Sequence, residues 1–187
     1  LAVVLAAMRV LGMLGPTQLR VLLPLGFLIM AMAPWLLLTQ QGRRQVGLRK
    51  PATPRVRVQA VLLGVLAALA CGAIGLGLFG TSPDNWFVSV ANYYRRSVDT
   101  NGFSLLQLHL LFTLPPLLLS PTGEEIFFRG ILQRALEERF SERASTIGEC
   151  AAFGIVHLCH HGVLATAAGI AFLPRSAAAW VLLMFAL

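Results

Sequence analysis

The sequence predicts an all-α membrane protein, a polytopic helical bundle of about five apolar segments. Three observations predict it. Hydrophobic residues make up 57% of the 187 and charged residues only 12%, with a mean hydropathy of +0.74. A water-soluble domain is about one-quarter charged. Apolar runs also recur at lengths near the ~20 residues that cross a hydrocarbon core. Finally, 14 Arg and one Lys stand against eight acids, giving a net charge of +7. In a membrane protein such an excess sits in cytoplasmic loops and against anionic lipid, so no nucleic-acid partner is needed to explain it. The three cysteines, Cys71, Cys150 and Cys159, are an odd number and widely spaced, which argues against a disulfide framework or a paired-cysteine zinc motif.

Taken in order, the run Leu1–Gly15 contains Arg9, lacks a small-residue cleavage site and is at most the remainder of a spanning helix. Val21–Thr39 is long enough to span, with Pro24 and Pro34 as expected kinks. Val58–Gly80 is the second span. Its small residues Ala68, Gly72, Ala73 and Gly77 predict close helix contact. Phe103–Leu119 is the third, Thr146–Ile170 the fourth and Ala177–Leu187 the fifth, cut off by the chain end. The charged stretch 133–145 between the third and fourth predicts an interfacial or protruding helix. Residues 1–104 read as N-terminal membrane helices and 105–187 as a catalytic core, truncated at its C-terminus.

Loop charge sets the expected orientation. "QGRRQVGLRKPATPRVR" (41–57) holds six positive and no negative charges and is expected on the cytoplasmic side. Alternation then brings Glu124, Glu125 and Arg129 to that same side.

The stretch "SPTGEEIFFRG" (120–130) puts two carboxylates and an arginine directly after an apolar run. Thr122 and Glu125 fit a T-x-x-E capping box, the plain structural explanation. Yet Ile126, Phe127 and Phe128 follow, and an acid at membrane depth needs a partner or a task. Adjacent residues point ~100° apart on a helix, so the two glutamates have different jobs. Glu125 and Arg129, four apart, are expected to pair. Glu124 is left beside Phe128, an apolar neighbour that would tune it toward the work of a general base.

A second polar cluster, "FGIVHLCHHG" (153–162), lies inside the fourth apolar segment. Helical spacing puts Phe153, His157 and His161 in register, with His160 close to the same side. A zinc site of His157, His161 and a glutamate is the runner-up reading, since three ligands and a water make a catalytic zinc. "HLCHH" is also similar to one histidine box of the membrane di-iron desaturases and hydroxylases, which carry several such boxes; this chain has four histidines in all.

"EEIFFR" followed by "FGIVH" resembles the E-E-x-x-x-R and F-x-x-x-H motifs of the CAAX protease and bacteriocin-processing family. That family includes the Ras-converting type of CAAX prenyl endopeptidase and the bacterial Abi-type proteins. The resemblance covers about Leu105 to Leu187. It implies an intramembrane glutamic endopeptidase, historically classed as a metalloendopeptidase, acting on a peptide or protein substrate in a lipid bilayer without a cofactor. By position, Glu124 would activate water and His157 would orient and deprotonate it. Glu125 and Arg129 would hold the motif, and Phe153 would pack beside the histidine, with Phe128, His160 and His161 in support. The bacterial inner membrane, with the site toward the cytoplasm, is the implied location. The family's third motif, H-x-x-x-N/D, which supplies the oxyanion stabiliser, has no counterpart here and is expected downstream of Leu187. The other readings are a His/Glu metal hydrolase or His-box iron enzyme, and a non-catalytic immunity or scaffold protein.

Overall fold

The two longest uninterrupted apolar runs become the two helices of membrane-spanning length. The computed structural model describes residues 1–49, 53–97, 102–104, 106–107, 110, 114–166 and 169–186. Helix α1 (Ala2–Leu14) is followed by a tight 3₁₀ turn, Thr17–Val21, and α2 (Leu22–Leu37), so that Thr17–Leu37 is one apolar stretch. After the short α3 (Gln40–Gln45) comes α4 (Pro54–Phe79). At 26 residues, α4 exceeds the roughly 30 Å of a hydrocarbon core. Its apolar side chains face outward all around, and only Cys71 and Gly75 are buried. That inversion of the soluble pattern is what a lipid solvent selects.

Helix α5 (Trp86–Ser97) returns to α4 through Trp86, which packs against Gly75. The expected small-residue stripe is therefore not the contact. A Cβ added at Gly72 or Gly77 would meet nothing within 4 Å, because Trp86 selects the face of Cys71 and Gly75 instead.

Helix α6 (Leu114–Glu124) forms the end of the expected third span and runs on past it. The remainder of Phe103–Leu119 falls largely outside the described residues. From Glu125 to Leu132 the chain winds as a π-helix, which passes into α7 (Gln133–Glu137). The charged stretch 133–145 is thus not one helix. It breaks after Glu137, and Ser141 caps α8 (Glu142–Val156) by accepting a hydrogen bond from the Ala144 N–H.

The fourth apolar segment, expected as one helix over Thr146–Ile170, stops at Val156. A 3₁₀ turn (His157–Cys159) follows, then an antiparallel hairpin of β1 (Val163–Thr166) and β2 (Gly169–Phe172), with Val163 opposite Phe172. One local and one distant feature hold the chain beyond Val156 out of the helix. Gly162 adopts a φ of +107°, which disfavours any side chain, and Trp180 donates its indole N–H to the His157 carbonyl at 3.0 Å. Trp180 belongs to α9 (Pro174–Ala186), which packs against α8.

The hydrophobic core joins the two ends of the sequence. Leu5 of α1 and Met30 of α2 pack with Phe127 and Phe128 of the π-helix, flanked by Phe153 and Val156 of α8. Gly123 makes this approach feasible. A Cβ there would stand 2.8 Å from the Phe27 carbonyl oxygen, so only glycine lets α6 rest on the α2 backbone.

Candidate active site

Because Gly123 seats the end of α6 on α2, the next residue is driven inward. Glu124 is 9% exposed. The helix is continuous through Thr122, so the T-x-x-E sequence does not start a helix here, and the capping explanation fails. The two glutamates part company as their angular offset requires: Glu124 is buried, whereas the side chain of Glu125 is 57% exposed.

Glu125 forms the expected ion pair with Arg129 across the π-helix. The Arg129 guanidinium also lies 5.9 Å from the centre of the Phe153 ring. The pair sits at the surface, however, not in the apolar setting expected for it, because the wider π winding turns this face away from the Phe127–Phe128 core.

Glu124 is not left alone with Phe128. The Arg9 guanidinium of α1 donates to its Oε1 and lies 3.3 Å from His157 Nε2. Arg9 is 4% exposed and His157 is 5% exposed. Nε2 of His157 is 3.6 Å from Glu124 Oε1, closer than the roughly 5–6 Å that one bridging water spans by ordinary hydrogen bonds, because Arg9 draws both groups to one point. The other ring nitrogen, Nδ1, lies 2.7 Å from the Phe153 carbonyl, which can only accept. Nδ1 therefore carries a proton, and Nε2 is the ring nitrogen that faces Arg9 and Glu124.

Arg9 also replaces the surroundings expected of Glu124. The carboxyl meets a guanidinium and an imidazole in place of the Phe128 ring alone, so the apolar tuning that the sequence predicts is not the one it receives. An ion pair holds a carboxylate as the anion, the form that accepts a proton. In the sequence, Arg9 argues only against a signal peptide. The signal that marks it is a lone arginine inside an apolar helix, which needs a partner.

The aromatic supports fall where expected around His157. Its ring centre is 4.2 Å from that of Phe153, and Phe128 meets Phe153 edge-on at 5.2 Å. The three histidines do not share a face, because the α-helix ends at Val156, just before them. His160 stays beside His157 at 5.2 Å, whereas His161 turns away to Trp86 and Trp180 and is fully buried. Among the described residues, no three His, Cys, Asp or Glu side chains converge to hold a metal ion. The three cysteines are free thiols.

An apolar cavity of about 210 Å³ borders Arg9 and is walled by Leu5, Met30, Phe127, Phe128 and Val156. Of the three converging groups, only Arg9 lines this cavity; the Glu124 carboxylate and the His157 imidazole lie behind it, a carboxylate and a ring nitrogen of the kind that can exchange protons.

No curated protein and no solved structure matches the chain. A family model described as "Type II CAAX prenyl endopeptidase Rce1-like" matches residues 106–186, the segment that carries Glu124, Glu125, Arg129, Phe153 and His157. Over residues 106–186, therefore, the chain is similar to the Rce1-like CAAX endopeptidases, which supports the resemblance to the CAAX protease and bacteriocin-processing family.

Proposed function

We propose that the protein is an intramembrane endopeptidase in which Glu124 activates the attacking water. The observation that carries this reading is the convergence of Glu124, His157 and Arg9 on one buried point, with an apolar cavity on the far side of Arg9. Glu124 takes a proton from water while His157 Nε2 orients it, and the water oxygen bonds to the peptide carbonyl carbon. The carbonyl oxygen becomes an oxyanion. Arg9 is the nearest cation to it and has guanidinium N–H groups beyond those directed at Glu124 and His157. The proton held by Glu124 then passes to the amide nitrogen, the C–N bond breaks, and the carboxylate is restored. Glu125 and Arg129 steady the π-helix that follows Glu124, and Phe153 orients His157 through its carbonyl.

The reaction so written uses protein groups alone. The six positive charges in 41–57 support placing the site toward the cytoplasmic face. The test is cleavage of a prenylated CAAX peptide by membranes holding the protein or its Glu124→Gln variant. A loss of about 10²–10⁴ in rate is expected, measured per folded protein below the melting temperature of the variant, which the stranded Arg9 charge lowers. Cleavage should persist in a chelator. A Glu124→Gln enzyme near wild-type activity would overturn the assignment, and chelator loss restored by zinc would transfer it to a metal hydrolase.

A further inference from the structure

A second, larger cleft lies away from Glu124, between the α2–α4 connection and the π-helix. Its volume is about 730 Å³, too large for a bare ion. One wall carries Arg44 and Arg49, and the other carries Arg129 and Arg134. The one carboxylate lining it, Glu125, is taken by Arg129. Arg134 pairs with Glu137, but among the described residues neither Arg44 nor Arg49 has an ion-pair partner, and both are exposed.

The cleft is a built feature, not a chance grouping of mobile side chains. Val46 rests directly on Gly130, where a Cβ would come within 3.1 Å of both the Val46 carbonyl oxygen and its side chain. Thr39 caps α3 by accepting from the Gly42 N–H at 3.2 Å. Arg43 is tied back to the Leu38 carbonyl at 3.0 Å, which leaves Arg44, the next residue, to line the cleft.

Its position identifies the kind of anion. The connection starts where α2 ends at Leu37 and finishes where α4 begins at Pro54, so the cleft lies at the common end of the two spanning helices. Exposed Trp35, Leu36 and Leu37 on one side and Val56 and Val58 on the other offer surfaces for acyl chains. An indole near a span end is typical of the headgroup level. Guanidinium groups match phosphate oxygens in a forked geometry that ammonium groups lack. We propose that this cleft binds the phosphate of an anionic lipid headgroup, with Arg44 and Arg49 as its principal donors. The inference does not depend on the proteolytic reading.

The experiment measures lipid retention by the whole protein, solubilised in detergent, using native mass spectrometry and titration with phosphatidylglycerol or phosphatidylcholine. Wild type should retain phosphatidylglycerol at least tenfold more tightly than phosphatidylcholine. Arg44→Gln/Arg49→Gln should erase that preference, each single variant should fall between, and thermal unfolding in lipid-free detergent should be unchanged. Should the double variant unfold, the single variants decide. Arg44→Lys/Arg49→Lys should keep part of the preference and lose the forked contribution. Competition by millimolar inorganic phosphate would support phosphate recognition. Phosphate binding without any phosphatidylglycerol preference would overturn the lipid assignment, as would equal retention by wild type and the double glutamine variant.

Discussion

Arg9 and Glu124 stabilise the site only as a pair. Removing one partner of a buried ion pair strands the other charge, at a cost of roughly 3–5 kcal/mol. Arg9→Met should therefore lower the melting temperature markedly, and Arg9→Met/Glu124→Gln should recover much of the loss, as measured by thermal unfolding in one detergent. If the double variant melts no higher than Arg9→Met, the two groups do not depend on each other. The surface pair of Glu125 and Arg129 sets the contrast, because exposed pairs contribute only about 0.2–1 kcal/mol. Arg129→Gln should accordingly move the melting temperature much less than Arg9→Met does. Residue by residue, the sequence was legible where partners are local. Glu125 and Arg129 pair at the spacing that predicts them. The partner of Glu124 was hidden because it lies 115 residues away, and no periodicity spans that distance.

The elements were legible in proportion to their length and uniformity. Thr17–Leu37 and Pro54–Phe79 are long apolar runs without competing signals, and both formed as helices. Thr146–Ile170 failed as one helix because apolar composition does not distinguish a helix from a buried turn followed by a largely exposed apolar hairpin. The arbiters were Gly162 and a hydrogen bond from distant Trp180. The π winding of Glu125–Leu132 had no sequence signal that periodicity could catch. The α2–α6 crossing offers a direct test. Gly123→Ala would place a methyl 2.8 Å from the Phe27 carbonyl oxygen. Overpacking of this kind costs about 1–3 kcal/mol, and it would displace Glu124 as well. Gly72→Ala, with open space around it, should change stability by no more than about 0.5 kcal/mol. Thermal unfolding and cleavage assays on both variants check the contrast, and equal tolerance would place α2 and α6 further apart.

At the scale of the whole molecule, composition alone announced a membrane protein, whereas the way its two halves interlock was not legible. The core draws on Leu5 and Met30 from one end and on Phe127 and Phe128 from the other. The ion pair between Arg9 and Glu124 carries this interlock into the order of synthesis. A ribosome adding about 5–20 residues per second takes roughly 6–23 s to make the chain that separates the arginine from its carboxylate. During that interval α1 presents an uncompensated cation to hydrocarbon, at a cost of about 2.5–3.5 kcal/mol near a helix centre. We therefore expect α1 to linger at the membrane surface and enter last, drawn in by a segment made long after it. Stalled nascent chains ending before Glu124 should leave a cysteine placed at Ala2 open to a water-borne label, and chains released past Phe128 should protect it. If α1 is protected equally at both lengths, assembly follows the order of the sequence after all.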